Sequence, residues 1–201
     1  TAREALFDRA GMTSGKSVLI HAGAGGVGHA AIQLAKLFDN RVITTVSNDS
    51  KAEFVKSIGA DKVIDYTKQD VTSEVLEWTH GQGVDIAFDT VGTTVLQNCF
   101  YCVKPYGDVV TILQPTTETN WSEARKRNTR FSLELMLSPV MLDLKSAQIH
   151  QGYILQQCAT LFDQQKLVVS IAQNFKLNQA ATAQDYLETG RPIGKVVLTV
   201  A

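Results

Sequence analysis

Apolar and polar residues follow two alternating spacings along the first two-thirds of the chain. Short, nearly continuous apolar runs such as Lys16–Ala22 and Arg41–Val46 predict buried strands. Between them, Val27–Phe38 places apolar residues every three or four positions, which predicts an amphipathic helix. The same criteria predict strands over Lys62–Tyr66, Val84–Thr90, Asp108–Leu113 and Arg130–Leu135, and helices over Ala2–Ala10, Lys51–Ile58, Val71–Trp78 and Thr94–Val103.

Alternation of strands and helices is typical of a parallel sheet with a helix layer on each face. Right-handed crossovers arrange such strands in the doubly wound order. We therefore predict an α/β fold, a Rossmann doubly wound parallel sheet with helices on both faces. Farther along, the polar stretch Gln114–Asn128 predicts a surface loop. The last part of the chain predicts helices over Tyr153–Gln165 and Gln179–Glu188 and strands over Leu167–Ala172 and Lys195–Val200.

A glycine-rich segment, HAGAGGVG over His21–Gly28, connects the first predicted strand to the first long helix. It contains the G-x-G-x-x-G pattern of dinucleotide-binding turns as Gly23, Gly25 and Gly28, in the strand–turn–helix context that makes this pattern informative. Gly23 is expected to permit the tight turn, Gly25 to let the backbone approach a pyrophosphate, and Gly28 to allow close packing of helix on strand. The pyrophosphate would lie at the helix N-terminus. The alternative is a turn that is glycine-rich for structural reasons alone.

The end of the second strand favours NADP(H) over NAD(H). NAD sites usually place an acidic residue there, which binds the ribose 2′-hydroxyl. The expected position holds Val46 or Ser47, and Asp49 comes later, where we expect it to cap the next helix. Ser47 and Lys51 then offer a donor and a positive charge to a 2′-phosphate. The alternative for Lys51 is an exposed helix residue without a ligand.

Composition narrows the possible partners. The chain has 44% hydrophobic and 19% charged residues and a formal net charge of −1, so electrostatics give no reason to expect nucleic acid or an anionic membrane. The basic cluster Arg125–Arg127 is short and is interpreted as a solvated face. No apolar run reaches membrane-spanning length, and the first residues do not resemble a signal peptide. Three cysteines do not form a disulfide framework, so we expect a reducing, cytoplasmic location.

Other chemical motifs are weak. Cys99 and Cys102 have C-x-x-C spacing but lie in a predicted helix without a second pair, so we interpret both as core residues, with redox or metal binding as alternatives. The four histidines are scattered, and we predict no metal site. A G-x-S-x-G elbow, a complete P-loop and a Tyr-x-x-x-Lys pair are missing from the sequence, which disfavours hydrolases, nucleoside triphosphatases and short-chain reductases.

Together these segments resemble a known family. GMTSGKSVLIHAGAGGVGHAAIQLAK, followed by IGADKVIDY, VDIAFDTVG and GKVVL, is similar to the medium-chain dehydrogenase/reductase superfamily, in particular its quinone-oxidoreductase-like branch. The resemblance extends over essentially all 201 residues. It implies a zinc-free enzyme that uses NADPH to reduce quinones, enones or related activated double bonds by direct hydride transfer.

The resemblance also implies positions for the cofactor. The pyrophosphate would contact Gly25, Gly26, Val27 and Gly28, and the 2′-phosphate would lie near Ser47, Lys51 and Tyr66. Val91 and Gly92 would border the adenosine ribose, and backbone groups of Ile112, Leu113 and Gln114 would meet the nicotinamide amide. Taken alone, Tyr66 is equally well explained as an aromatic residue that packs at a strand end.

Members of the family begin with a catalytic β-rich domain, for which this sequence has no counterpart. We therefore expect residues 1–166 to form the Rossmann domain and residues 167–201 to complete a missing catalytic domain. The chain alone would bind cofactor and catalyse little, and we assign no catalytic residues. A zinc-dependent alcohol dehydrogenase and a non-catalytic NADP(H)-binding or sensing domain remain as alternatives.

The family also commonly dimerises. The resemblance implies a homodimer formed by the edge strand around Asp108–Arg130, through Leu133–Leu137 or its neighbours, which would protect an exposed edge. Beyond a second copy of the chain, the expected partner is a small-molecule substrate: a quinone, an enone, or an aldehyde or alcohol.

Overall fold

A computed structural model describes residues 1–190 and 192–200. Within them, six strands form the main sheet: β1 (Ser17–Ile20), β2 (Arg41–Val46), β3 (Lys62–Asp65), β4 (Val84–Asp89), β5 (Val103–Thr111) and β6 (Arg130–Leu133). They pair in parallel in the order β3-β2-β1-β4-β5-β6. This confirms the predicted doubly wound sheet. The order reverses between β1 and β4, and ligands of such sheets bind at the carboxyl ends of the strands at this position.

Helices cover both faces of the sheet. They are α1 (Gly28–Leu37), α2 (Asp49–Ser57), α3 (Val71–Trp78), α4 (Thr94–Cys102), α5 (Ser122–Lys126), α6 (Ser138–Met141) and α7 (Lys145–Asp163). The predicted N-terminal helix is a π-helical segment, Glu4–Arg9, in which the amide of Ala10 donates to the carbonyl of Ala5 at 3.0 Å. None of the helices in the described part of the chain combines the length and apolar content that a membrane crossing requires.

Two apolar clusters form the core, one on each face of the sheet. Val18 and Ile20 pack in the cluster that contains Ile32 of α1. Leu19, between them in sequence, packs in the other cluster with Val75 of α3. All these side chains are fully buried. Since side chains alternate across a strand, burial on both faces explains why the strands appear in the sequence as continuous apolar runs.

The C-terminal residues form a second, smaller sheet. β7 (Ile171–Lys176) and β8 (Lys195–Thr199) pair in parallel with each other and are connected by a short 3-10 turn and α8 (Ala180–Gly190). The strand predicted over Leu167–Ala172 is therefore displaced toward the C-terminus. Residues 167–170 have no regular secondary structure, and Val168 bonds to Gln33 of α1 at 2.9 Å.

The stretch predicted as a surface loop, Gln114–Asn128, contains the helix α5. Two side-chain features stabilise it, one local and one tertiary. Arg127 pairs with Glu123 one turn away at 2.6 Å, and Trp121 packs against Phe100 and Phe131 with ring centroids 5.3 and 4.8 Å apart. Aromatic packing between distant segments leaves no trace in local periodicity, so the sequence pattern did not predict this helix.

Helix α7 begins eight residues before its predicted start at Tyr153. Its first turns are largely polar, and side-chain bonds to other elements hold them. Gln148 donates to the carbonyl of Pro139 at 2.9 Å, and Gln151 donates to Glu4 at 3.1 Å.

The predicted turn at Pro105–Gly107 is not separate from the sheet. Helix α4 ends at Cys102 and β5 starts at the next residue, so Pro105 and Gly107 lie inside this strand, whose pairing with β4 has a register shift.

Candidate functional site

The glycine-rich turn lies at the carboxyl end of β1, beside the reversal in strand order. Its tightest residue is Ala22, which adopts a left-handed backbone with φ of 49°, and the Gly25 amide donates to the Ala22 carbonyl at 2.9 Å. Helix α1 starts directly after the turn, with Val27 at its N-cap position. Valine has no side-chain acceptor, so the first amides of α1 face the turn without a side-chain cap.

Close contacts rather than backbone dihedrals require glycine at two of the three motif positions, Gly23 and Gly28. A Cβ at Gly23 would lie 2.1 Å from Thr44 Oγ1, and one at Gly28 would lie 2.4 Å from the carbonyl oxygen of Ala22. The left-handed residue of the turn is Ala22, so Gly23 serves the turn by its close approach to Thr44 and not by a positive φ. Gly28 lets the helix approach the strand, as its place in the motif predicts. A Cβ at Gly25 would lie 3.1 Å from the same carbonyl.

A cavity of about 420 Å³ extends from the turn toward the end of β2. The residues predicted for the 2′-phosphate meet here, since Ser47, Lys51 and Tyr66 all line it. Lys51 Nζ donates to Ser47 Oγ at 3.4 Å. Asn48, and not Asp49 as predicted, caps α2 by accepting the Lys51 amide at 2.9 Å, which places Ser47 and Lys51 on either side of the helix start. Gly25, Gly26 and Val91 complete the predicted residues along this cavity.

A second cavity, of about 430 Å³, adjoins the first on the other side of the turn. Gly25, Gly26, Val27, Gly28 and Ile112 line it, together with residues from α8 and β8. Of these, Lys195 lies against the glycine turn, because a Cβ added at Gly26 would be 2.8 Å from its Cδ and 2.8 Å from its Nζ. The ammonium group therefore lies against the glycine turn.

Sequence reasoning missed Lys195. It belongs to the terminal GKVVL segment, far from the turn in sequence, and a lone lysine at the start of a strand carries no local signal. Its position depends on contacts formed only in the folded chain. The Gly194 amide donates to the carbonyl of Ala24 at 2.8 Å, and this bond brings β8 to the turn.

Four of the predicted cofactor residues lie outside the lining of these two cavities. Gly23 is beneath the turn, and Gly92, Leu113 and Gln114 follow β4 and β5. Gly92 has φ of +84° and packs on Leu113, whose Cδ1 would be 3.0 Å from an added Cβ. Of the three residues predicted to contact the nicotinamide amide, Ile112 is thus the one that lines either cavity.

Asp89, at the end of β4, organises the loop that carries Val91 and Gly92. Its Oδ1 accepts both of their amides at 2.9 Å, and its Oδ2 accepts the hydroxyl of Thr111 at 2.7 Å. The side chain is fully buried. Asp89 was not predicted as a site residue, although a carboxylate that ends an apolar strand is a usable signal for a loop-organising role.

A third cavity, of about 340 Å³, lies below Tyr66 and Val91 and is lined by His21. His21 is buried, with Nδ1 3.3 Å from Thr45 Oγ1. The same Thr45 oxygen accepts the Ala22 amide, and Nε2 of His21 is buried without a hydrogen-bond partner among the described residues. Burial lowers the pKa of His21 to about 4, against a smaller raising effect of Asp89, so the ring is neutral at physiological pH.

The two cysteines of the C-x-x-C pattern are free and buried, which confirms their interpretation as core residues. Burial raises the pKa of the Cys102 thiol to about 11 and that of Cys99 well above its ordinary value. Neither is a thiolate at neutral pH. Among the described residues, no three His, Cys, Asp or Glu side chains are grouped to hold a metal ion.

The described residues thus fit a dinucleotide better than a metal. The uncapped α1 N-terminus, the missing side chains at Gly25 and Gly26 and the ammonium groups of Lys51 and Lys195 all suit an anionic phosphate ligand. The donor set for zinc is not assembled in them.

The fold and this turn define an α/β domain of the Rossmann class. The chain belongs to the zinc-binding dehydrogenase family of the medium-chain superfamily, whose family model matches residues 58–198.

The named relatives include oxidoreductases. The chain is 33% identical to the 2-haloacrylate reductase of a Burkholderia species, over 98% of the chain and 60% of that protein. It is 29% identical to the quinone oxidoreductase of Pseudomonas aeruginosa, over 93% of the chain and 57% of that protein. The crystal structure of an alcohol dehydrogenase superfamily protein from Novosphingobium aromaticivorans superimposes with a TM-score of 0.90 at 33% identity, covering all of the chain and 61% of that structure. The chain therefore spans about 60% of the length of these relatives.

Proposed function

We propose that this chain binds NADP(H) across its glycine-rich turn and forms the cofactor half of an oxidoreductase that reduces an activated double bond. The names of the two curated relatives support this reaction class, because haloacrylates and quinones both carry a carbon–carbon double bond conjugated to a carbonyl group. The nicotinamide supplies the hydride, and the protein binds and orients it. The substrate would then be a quinone, an enone or a related small molecule.

The observation that carries the proposal is the site at the start of α1. Helix amides without a side-chain cap and the ammonium group of Lys195 converge on Gly25–Gly28. A pyrophosphate bound there would accept hydrogen bonds from the backbone and a charge-assisted bond from Lys195. Gly26 and Val27 would contribute backbone only.

The first cavity, which extends from the turn toward the end of β2, favours a 2′-phosphate. Ser47, Lys51 and Tyr66 line it, and no carboxylate is found among the described residues of its lining. The acidic residue nearest in sequence, Asp49, is directed away, since its side chain is 92% exposed and pairs with Lys68 at 3.5 Å. A 2′-phosphate therefore meets a cation and hydroxyl groups without repulsion.

The remaining assignments concern the adenosine ribose and the nicotinamide amide of the cofactor. Val91 and Gly92 would border the adenosine ribose, held in place by Asp89. Ile112, Leu113 and Gln114 would present backbone groups to the nicotinamide amide. Support is strongest for Ile112, which lines the second cavity.

Two features of the surface support a larger assembly. A sheet of two strands is marginal by itself, and β7 and β8 expose Ile171 and Leu198, so we propose that residues 167–201 complete a further domain, with residues 1–166 as the Rossmann domain. At one edge of the main sheet, β5 is the only partner of β6 among the described residues, and the residues just beyond β6 are exposed apolar side chains, Leu135 and Leu137 among them. We propose a homodimer through this edge, for which a monomeric mass in light scattering would be contrary evidence.

Three free cysteines, at 99, 102 and 158, fit a reducing compartment such as the cytoplasm, which is where we propose that the protein works.

Titration with NADPH and NADH, followed by calorimetry, tests the proposed function. We expect tighter binding of NADPH, and Lys51→Ala should weaken NADPH by about tenfold while leaving NADH unchanged, because only NADPH carries the 2′-phosphate. Lys56→Ala, on the exposed last turn of the same helix, is the matched control and should alter neither. Preference for NADH would contradict the 2′-phosphate assignment, and binding of neither would contradict the proposed function.

A further inference from the structure

The C-terminal segment is fastened to α1 by a glutamine in the middle of that helix. Gln33 Oε1 accepts the Val168 amide, and Gln33 Nε2 donates to the Val168 carbonyl, both at 2.9 Å. The same Nε2 also donates to the carbonyl of His29 at 2.9 Å. Gln33 therefore bonds both backbone groups of Val168 and is itself held by its own helix.

His29, one turn earlier on α1, makes a second attachment. The Ser170 amide donates to His29 Nε2 at 3.3 Å, and His29 Nδ1 lies 2.8 Å from the carbonyl oxygen of Gly25. Since Nε2 accepts, the proton is on Nδ1, which donates to Gly25. Burial lowers the pKa of His29, the hydrogen bond to Gly25 raises it by less, and the nearby charge of Lys195 lowers it further, so the net shift favours the neutral ring. His29 thus connects the glycine turn to Ser170.

Ser170 leads directly to Lys195. The Lys195 amide donates to the Ser170 carbonyl at 2.8 Å, next to the bond between Gly194 and Ala24. Gly194 adopts φ of +82°, and a Cβ there would be 2.2 Å from the Ser170 oxygen, so this crossing requires glycine. A continuous set of hydrogen bonds therefore runs from α1 through residues 168–170 to the backbone of Lys195, whose side chain then returns to Gly26.

We propose that His29 and Gln33 are positioning residues, which fix the backbone of Lys195 so that its ammonium group meets the pyrophosphate of a bound dinucleotide. The inference rests on the proposed function and adds residues that contact no phosphate themselves. A lysine side chain is long and flexible, so the place its ammonium group reaches depends on where its backbone is held. Without the attachment, the same lysine would spend less time over the turn, and its bond to phosphate would contribute less.

Two ligands separate this role from the rest of the site. NADPH carries a pyrophosphate, whereas adenosine 2′-phosphate has the 2′-phosphate and the base but no pyrophosphate. The variants are Gln33→Met, which removes the hydrogen bonds at similar side-chain volume, Lys195→Met, and the two combined. Val75→Ala, a cavity substitution on the opposite face of the sheet, controls for loss of stability alone. Affinities are measured by calorimetry for NADPH and by competition for adenosine 2′-phosphate.

We expect Lys195→Met to weaken NADPH by about tenfold, as loss of a charge-assisted bond predicts, and Gln33→Met by about fivefold. The double variant should bind no more weakly than Lys195→Met, since Gln33 acts through that lysine. Adenosine 2′-phosphate should bind all variants equally, and Val75→Ala should bind both ligands as the unsubstituted protein does.

Three results would overturn the proposal: an unchanged NADPH affinity in Gln33→Met, an equal weakening of both ligands, or effects of the two substitutions that simply multiply. Failure of the proposed function is visible separately, because the unsubstituted protein would then bind neither ligand, and the positioning role would fall with it.

Discussion

Two helices that start at the same edge of the sheet treat their N-termini differently. Helix α3 begins at Asp70, whose side chain accepts the Ser73 amide at 2.8 Å, and it carries Glu74 in its first turn. Helix α1 begins at Val27, without a side-chain acceptor and without an acidic residue in its first turn. Helix α3 has a side-chain acceptor and a negative charge at its N-terminus, whereas α1 has neither, and only the backbone carbonyl of Gly25 accepts its His29 amide, at 3.1 Å. Helix α2 resembles α3, with Asn48 as its cap.

The difference indicates where an anion belongs. A capped helix start has its positive end partly neutralised, and an uncapped one beside glycines is open to a phosphate. The N-termini of α1 and α3 can therefore be compared within one fold. Substitutions at four residues of the turn and of these helix starts test the difference.

The largest effect should come from closing the space at the turn itself. Gly28→Val places side-chain atoms against the Ala22 carbonyl, where even a Cβ would be at 2.4 Å, so we expect a loss of about 2–4 kcal/mol in the free energy of unfolding. Denaturant unfolding measures it. Gly152→Ala is the matched control, because an added Cβ on α7 meets nothing within 4 Å, and this change should stabilise by about 0.5–1 kcal/mol. Equal effects of the two would contradict the packing role of Gly28.

The next effect concerns pH and His21, which precedes the turn. Its pKa is about 4 in the folded chain and 6.5 in the unfolded chain, so the unfolded chain binds more protons between these values. Stability should therefore fall as pH decreases from 6.5 to 4, by up to about 3 kcal/mol from this residue.

Unfolding measured at pH 7 and pH 4.5 tests this. His21→Asn should lose that part of the pH dependence, while His80→Asn, at an exposed position with a left-handed backbone that asparagine tolerates, should retain it. Retention of the full slope in His21→Asn would show that another group causes it.

A smaller effect is expected when a charge is placed at the open helix start. Val27→Asp adds a carboxylate where the proposed pyrophosphate would lie, and repulsion should weaken NADPH by about tenfold or more, or roughly 1.4 kcal/mol. Val27→Ala separates this from lost packing. If both variants bind NADPH alike, the start of α1 is not the phosphate site.

The smallest effect is expected at the capped helix. Asp70→Ala removes the acceptor for the Ser73 amide and should lower the free energy of unfolding by about 1 kcal/mol. The hydrogen bond to Ser73 lowers the pKa of Asp70, so the contribution should be present at neutral pH and decrease in acid. Asp70→Asn retains an acceptor and should recover most of the stability. A loss that is equally large in both variants would argue against capping.

Local sequence predicted the parts of the molecule whose causes are local. The strand Ser17–Ile20, the turn and helix α1 are consecutive, and their apolar spacing and glycines reflect burial and close packing within that unit. Ser47, Lys51 and Tyr66 met in one cavity for a similar reason, since the ends of adjacent strands β2 and β3 hold them at the same edge.

Other features have causes far away in sequence. Lys195 reaches the turn through a bond between Gly194 and Ala24, and Trp121 stabilises the region of α5 through rings of α4 and β6. Asn48 rather than Asp49 caps α2 because either residue type serves as a cap, and only the backbone conformation decides between neighbours. Periodicity contains none of this information.

The aromatic cluster of Phe100, Trp121 and Phe131 has a practical consequence for spectroscopy. The chain has two tryptophans, and the other, Trp78, lies under the guanidinium group of Arg41 at 4.3 Å. Neither lines the two cavities beside the glycine turn, so a change in emission when a nicotinamide binds would report energy transfer or a rearrangement of the fold rather than direct contact. Because Trp121 packs against β6, the sheet edge, its emission offers an intrinsic optical signal for association at that edge, with Trp78 as an internal reference.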